Sequence, residues 1–128
     1  MPLTLDSRIK LNNGIEIPCL GLGVYQSAPG KTTERAVFYA LKIGYRHVDT
    51  ASLYGNESDV GKALRQSGLQ REEVFVTTKV WNSEQGYDAT LRACESSLRR
   101  LGLAYVDLYL IHWPVQGMGK ETWKAMIR

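Results

Sequence analysis

Four short apolar runs end at Val24, Asp49, Lys79 and His112, 25, 30 and 33 residues apart, and this spacing constrains the fold more than any other feature of the chain. It is the length of a strand, a helix and the return to a parallel neighbour. The first run, Cys19 to Val24, is wholly apolar, as in strands covered on both faces. The second covers Tyr45 to Asp49, the third Val74 to Lys79, and the fourth Tyr105 to His112, where Trp113-Pro114 stops it. Strand and helix alternate, so a parallel α/β sheet is expected.

Between the runs the apolar period becomes helical. A helix is expected from about Thr32 to Ile43, with Ala36, Val37, Ala40 and Leu41 as its stripe and Gly44 behind its end. The next takes Asn56 as N-cap, carries Glu57 and Asp59 in its first turn, buries Val60, Ala63 and Leu64, and stops near Gly68. A third runs from about Tyr87 to Leu101 on Leu91, Cys94, Leu98 and Leu101. A fourth begins at Glu121, with Trp123, Met126 and Ile127 as its core stripe. Ahead of the first strand, Ile9-Lys10-Leu11 and Ile15-Glu16-Ile17 flank Asn12-Asn13-Gly14. That is a hairpin signal, with both central turn residues at positive φ and Pro18 separating the hairpin from the first apolar strand.

The 128 residues are one domain by length, and 44% hydrophobic with 23% charged is a globular balance. A net charge of +3 with interspersed signs names no nucleic-acid or anionic-membrane partner. Cys19 and Cys94 lack metal or redox spacing and read as small core residues, which suits a reduced, cytoplasmic setting. Met1 to Asn13 lacks a signal-peptide apolar segment, and no run reaches membrane-spanning length. An eight-unit barrel typically takes about 250 residues. Four strands are half of one, which leaves two open strand edges.

The carboxyl ends of parallel strands face the site in such folds, and Asp49, Lys79 and His112 all stand there. Strand residues alternate faces, so Tyr45, His47 and Asp49 share one, as do Phe75, Thr77 and Lys79, and Leu108, Leu110 and His112. With neighbouring strands the three groups point to one side, and Tyr54 lies on the loop five residues after Asp49. A free tyrosine titrates near ~10 and is a poor acid at neutral pH. An ammonium beside a phenol favours the phenolate, and a carboxylate beside the ammonium keeps it charged. Asp49, Lys79 and Tyr54 would form such a relay, with His112 placed to hydrogen-bond a substrate oxygen. The group completes the acid side of a carbonyl reduction but supplies no hydride, so a nicotinamide donor is implied.

Five segments in register carry a resemblance: Gly21-Leu22-Gly23-Val24-Tyr25-Gln26, Gly44-Tyr45-Arg46-His47-Val48-Asp49-Thr50-Ala51, Tyr54-Gly55-Asn56-Glu57, Thr78-Lys79-Val80-Trp81 and Leu110-Ile111-His112-Trp113-Pro114. Together they resemble the aldo-keto reductase family over Leu3 to Arg128. The resemblance implies a (β/α)8 TIM barrel, of which residues 1–128 would be the N-terminal half, cut within the fourth helix. It implies Tyr54 as general acid, Lys79 as the cation that acidifies it, Asp49 as the partner of Lys79, and His112 as the substrate-orienting group. It also implies Gly23, Val24 and Asp49 beside the nicotinamide ribose, and Tyr25, Trp81 and Trp113 as pocket walls. The cofactor would be NADPH, sometimes NADH, and the substrate a small aldehyde or ketone.

Plainer readings apply to other residues. His47, two positions before Asp49, is expected as a hydrogen-bonded interior histidine. Gly21 and Gly23 are not a dinucleotide fingerprint, because no third glycine opens a helix, and they read as room for tight packing. Arg65, Arg71 and Arg92 read as solvated charges. Two functions compete with carbonyl reduction. A lysine at a barrel strand end can form a Schiff base, against which Asp49 and Tyr54 on one loop argue. A half-barrel without activity can self-associate through its open edges.

Overall fold

The computed structural model describes residues 2–128. Met1, the start of the expected domain and of the N-terminal stretch read for targeting signals, lies outside the described residues. Strands β1 (Arg8–Lys10) and β2 (Glu16–Pro18) pair antiparallel, Ile9 opposite Ile17. Their turn differs from expectation: among residues 12–14 only Gly14 has positive φ, +87°. Leu11 N donates to Ile15 O at 2.8 Å and Gly14 N to Leu11 O at 2.9 Å. The connection is therefore a three-residue loop closed by a left-handed glycine. Pro18 is the last residue of β2 and does not separate the hairpin from the next strand.

The main sheet is four-stranded and parallel, in sequence order: β3 (Leu22–Gly23), β4 (His47–Asp49), β5 (Phe75–Val80) and β6 (Leu108–Ile111). Gly23 stands opposite Asp49, Asp49 opposite Thr77, and Lys79 opposite Leu110. β3 is shorter than its apolar run. It has a neighbour on one side only, so Leu20 and Cys19 are exposed and the expected two-face cover and buried thiol are not found.

Helices α1 (Lys31–Lys42), α2 (Glu57–Ser67), α3 (Tyr87–Leu101) and α4 (Gly119–Met126) pack each on the next. Val48 and Val76 from the sheet meet Val37, Leu41, Val60, Leu64 and Leu101 from the helices in the core. Val76, Thr78 and Val80 thus face the helices, and the alternate residues Phe75, Thr77 and Lys79 face the other way. Two helical stripes are rotated from expectation. In α4 the buried residues are Thr122 and Ala125, while Trp123 and Ile127 are exposed. In α3 they are Thr90, Ala93, Ser97 and Leu101, and Leu91, Cys94 and Leu98 turn to a groove shared with Tyr109, Ala125 and Met126. Ala36 of α1 is also exposed. Close helix approach selects small residues at the contact, and the larger apolar ones take the wider face.

Arg71 is not a solvated charge. Its Nη2 lies 2.7 Å from Asp107 Oδ2, its Nη1 donates to Val74 O at 2.6 Å, and its guanidinium sits 4.0 Å over the Tyr105 ring. Arg65 donates to Leu101 O at 3.2 Å, whereas Arg92 is exposed as expected.

A tight approach between α2 and the end of α3 yields a prediction. A Cβ on Gly61 of α2 would overlap the main-chain carbonyl of Leu101, at the end of α3. Backbone cannot rotate aside as a side chain can, so Gly61→Ala is expected to destabilise the fold by about 2 kcal/mol. Urea unfolding checks this, and an unchanged midpoint would contradict the crossing.

Candidate active site

Asp49 ends β4, and the chain then turns through buried Thr50 and Ala51 into a 3-10 turn, Ser52–Tyr54. Gly55 at φ +68° reverses the backbone before α2. A residue with a Cβ adopts that conformation reluctantly, and the Tyr54 ring, at the end of the 3-10 turn, stands against the Lys79 ammonium and His112.

Lys79 enters from β5. Its ammonium donates to both Asp49 carboxylate oxygens, 2.8 Å to Oδ2, and to Thr50 O at 2.9 Å. Three acceptors match the three protons of an ammonium. The same Nζ lies 5.2 Å from the Tyr54 ring centroid. His112 follows β6, its backbone N–H donating to Val80 O at 3.1 Å. Its imidazole stands edge-on to Tyr54 at 5.6 Å between centroids and to Trp81 at 5.0 Å. Asp49, Lys79 and His112 are thus brought together, as the face alternation predicts, and the loop adds Tyr54.

A cleft of about 340 Å³ opens over this group, lined by Tyr25, Leu53, Tyr54, Trp81, His112 and Trp113. Tyr25 packs on Tyr54 at 5.2 Å, and Tyr25 and Trp113 form its exposed rim. Gly23 and Val24 do not line the cleft, and their surroundings differ. A Cβ on Gly23 would meet nothing within 4 Å, so its backbone faces open space, whereas Val24 is 2% exposed and part of the core. The tight-packing reading holds for Gly21 alone, whose added Cβ would lie 2.8 Å from the His47 ring.

Both histidines titrate below the usual imidazole value of 6.5. For His112 the causes are burial first and then the Lys79 charge, with Asp49 opposing. For His47, whose Nε2 is 2.9 Å from Thr77 Oγ1, burial dominates and Asp49 opposes it. His47 is the hydrogen-bonded interior histidine expected. A group held below its unfolded value binds fewer protons when folded, so the two histidines add stability above about pH 6.5 that is lost as pH falls through their folded values. Proton NMR should show both midpoints below 6.5 and a smaller loss of stability between pH 7 and 5.5 in His47→Gln. A midpoint at or above 6.5 for either would contradict this electrostatic picture.

The sequence reading missed two polar assemblies behind the site. Asn56 stands at the N-cap of α2, yet its side chain makes no cap bond. Its Oδ1 accepts from Thr50 Oγ1 at 2.8 Å, and its Nδ2 donates to Val24 O at 3.0 Å and Ser27 O at 3.3 Å. Next to it Glu57, 1% exposed, accepts from Thr78 Oγ1 at 2.8 Å and pairs with Arg100 at 2.7 Å. The available signal was Thr78: a hydroxyl in the helix-facing phase of β5 needs a polar partner. Tyr109 lies away from the cleft, its hydroxyl buried without a partner and its phenol pushed up by burial. Among the described residues no three His, Cys, Asp or Glu side chains gather to hold a metal, and no helix is long and apolar enough to cross a membrane.

Comparison with known proteins places this geometry. The family model described as "Aldo/keto reductase family" matches residues 19–127. A glyoxal reductase of Bacillus subtilis is 51% identical over 126 residues, which are 98% of this chain and 46% of that protein. The crystal structure of an aldo/keto reductase from Brucella melitensis superposes with a TM-score of 0.90 at 54% identity, over 94% of this chain and 48% of that one. That of a Bombyx mori aldo-keto reductase in complex with NADP superposes at 0.85 and 38% identity, over 94% and 45%. The chain spans about half the length of the proteins it matches, and its parallel sheet with helices is half of their TIM barrel.

Proposed function

The chain belongs to the aldo/keto reductase family, and from that premise we propose that its cleft reduces small aldehydes or ketones to alcohols, with NADPH as the preferred donor and NADH as the alternative. The observation that carries this reading is Lys79, bound to Asp49 and Thr50 O while facing the Tyr54 ring at 5.2 Å, with His112 on another side of that ring. A nicotinamide nucleotide supplies the hydride when bound. The open backbone of Gly23, opposite Asp49 in the ladder, fits the close approach of its ribose end.

Tyr54 donates the proton to the carbonyl oxygen. The ammonium of Lys79, paired with Asp49 and 5.2 Å from the Tyr54 ring, stabilises the negative charge left on the phenol by its own charge. Nδ1 of His112 is buried, so Nε2 is the nitrogen that meets the substrate. A neutral imidazole protonated at Nε2 donates one hydrogen bond to the same oxygen and fixes its direction. Tyr25, Trp81 and Trp113 supply flat apolar walls against which a small carbonyl compound packs.

The test is nicotinamide oxidation by the purified chain with NADPH and methylglyoxal, beside Tyr54→Phe prepared identically. Turnover that disappears with the hydroxyl supports the assignment. Equal background rates from folded samples would sink it for this chain as it stands. The engagement of all three Lys79 protons disfavours the Schiff-base reading, which needs a free amine. Open outer sides on β3 and β6 favour a second, non-catalytic reading, association between half-barrels. A monomeric solution mass would count against it.

A further inference from the structure

We infer that Asn56 is a positioning residue for the proposed reduction, holding Tyr54 and the wall residue Tyr25 in place through its side-chain amide. This inference rests on the carbonyl-reductase reading. Asn56 is 0% exposed, as is Thr50. An asparagine at a helix N-cap normally spends its side chain on the first-turn N–H groups, and this one does not.

Its bonds are directed at the two loops that build the cleft. The Thr50–Asn56 bond spans six residues and closes the Tyr54 loop into a ring. Thr50 is fixed again by its carbonyl, which accepts from Lys79 at 2.9 Å. The tyrosine loop is thereby tied to the lysine. The other end of the amide holds Val24 O and Ser27 O, the carbonyls on either side of Tyr25. Tyr25 in turn packs on the Tyr54 ring at 5.2 Å. One buried amide thus ties the loop that carries the wall residue Tyr25 to the loop that carries the acid Tyr54. Without it, Thr50 Oγ1 loses its acceptor and Ser27 O its amide donor, while Val24 O keeps only the Ser27 N–H at 3.0 Å, so the loops shift toward new partners.

The two histidines of the chain make the placement measurable without turnover. Tyr54 stands edge-on to His112, whereas His47 packs against Phe75 below it. Ring currents from Tyr54 and Trp81 set the His112 ring-proton shifts. In Asn56→Asp, which keeps the acceptor for Thr50 but turns an oxygen toward the two carbonyls, the His112 signals should move toward their positions in Tyr54→Leu. Those of His47 should stay. The isosteric Thr50→Val, which removes one bond of the three, should move them part of the way and serves if Asn56→Asp does not fold. With methylglyoxal as substrate, kcat should fall on the order of 10²-fold in Asn56→Asp with KM changed much less, because misplacement of an acid costs rate rather than binding. His112 signals unmoved in a folded variant overturn the inference whatever the rates. Moved signals in a chain whose wild type has no turnover would uphold the placement and remove the reductase reading instead.

Discussion

Tyr54→Phe is expected to lower the rate of the proposed carbonyl reduction by about 10²–10⁴-fold, the range that a positioned general acid contributes, while leaving the folded chain in place. The two halves of this expectation come from different atoms of one side chain. The ring carries the packing: it meets Tyr25, His112 and the Lys79 ammonium, and phenylalanine keeps that ring. Tyr54 lines the cleft, so removal of its hydroxyl is expected to change stability by less than about 0.5 kcal/mol. Rate and urea midpoint measured on the same preparations separate the two. A large loss of rate with an unchanged midpoint identifies the hydroxyl as the proton source. Equal rates would give the proton to another group, and a shifted midpoint would show that the hydroxyl is bonded within the fold. KM for the carbonyl should change little, since the proton is transferred only in the transition state.

Periods made part of this molecule legible in its sequence, and distant partners hid the rest. A period of two put Asp49, Lys79 and His112 on one face, and the ladder confirms that register. The spacing of the strand ends gave the parallel order. Tyr54 is a harder case, because no period governs a loop. Its position is set by a short 3-10 turn, Ser52–Tyr54, that ends on a left-handed Gly55. Arg71 was misread because its partner, Asp107, lies 36 residues away and no local pattern announces it. Trp123 and Cys19 were misread for another reason. A helical stripe or an apolar run states that a face is apolar, not whether an element covers it. Asn56 stands at the N-cap as its sequence position indicates, but an N-cap has a usual bond as well as a usual occupant, and here the occupant is usual while the bond is not.

Glu57 and Arg100 show how a partner can matter more than its own burial, and the expected result is asymmetric. Glu57 is 1% exposed, but the Arg100 side chain that neutralises it is 43% exposed. Arg100 Nε and Nη2 both reach Oε1, while Oε2 takes the hydroxyl of Thr78. Arg100→Met removes a half-exposed surface residue, a change usually worth within about 0.5 kcal/mol. Here it strands a buried carboxylate with one hydroxyl for company, and the expected cost is about 3 kcal/mol, at the lower end for a broken buried pair because solvent is near. Glu57→Gln in the same background removes the stranded charge and should recover at least about 1 kcal/mol. Urea unfolding of the two single variants and the double gives the coupling directly. A near-neutral Arg100→Met would show that the carboxylate is solvated. The pair also ties the site to the fold, since Thr78 adjoins Lys79 and Glu57 comes directly after Asn56. In Arg100→Met the His112 signals should therefore shift in the same direction as in the Asn56 variant, by less, because the main-chain carbonyls around Tyr25 keep their donor.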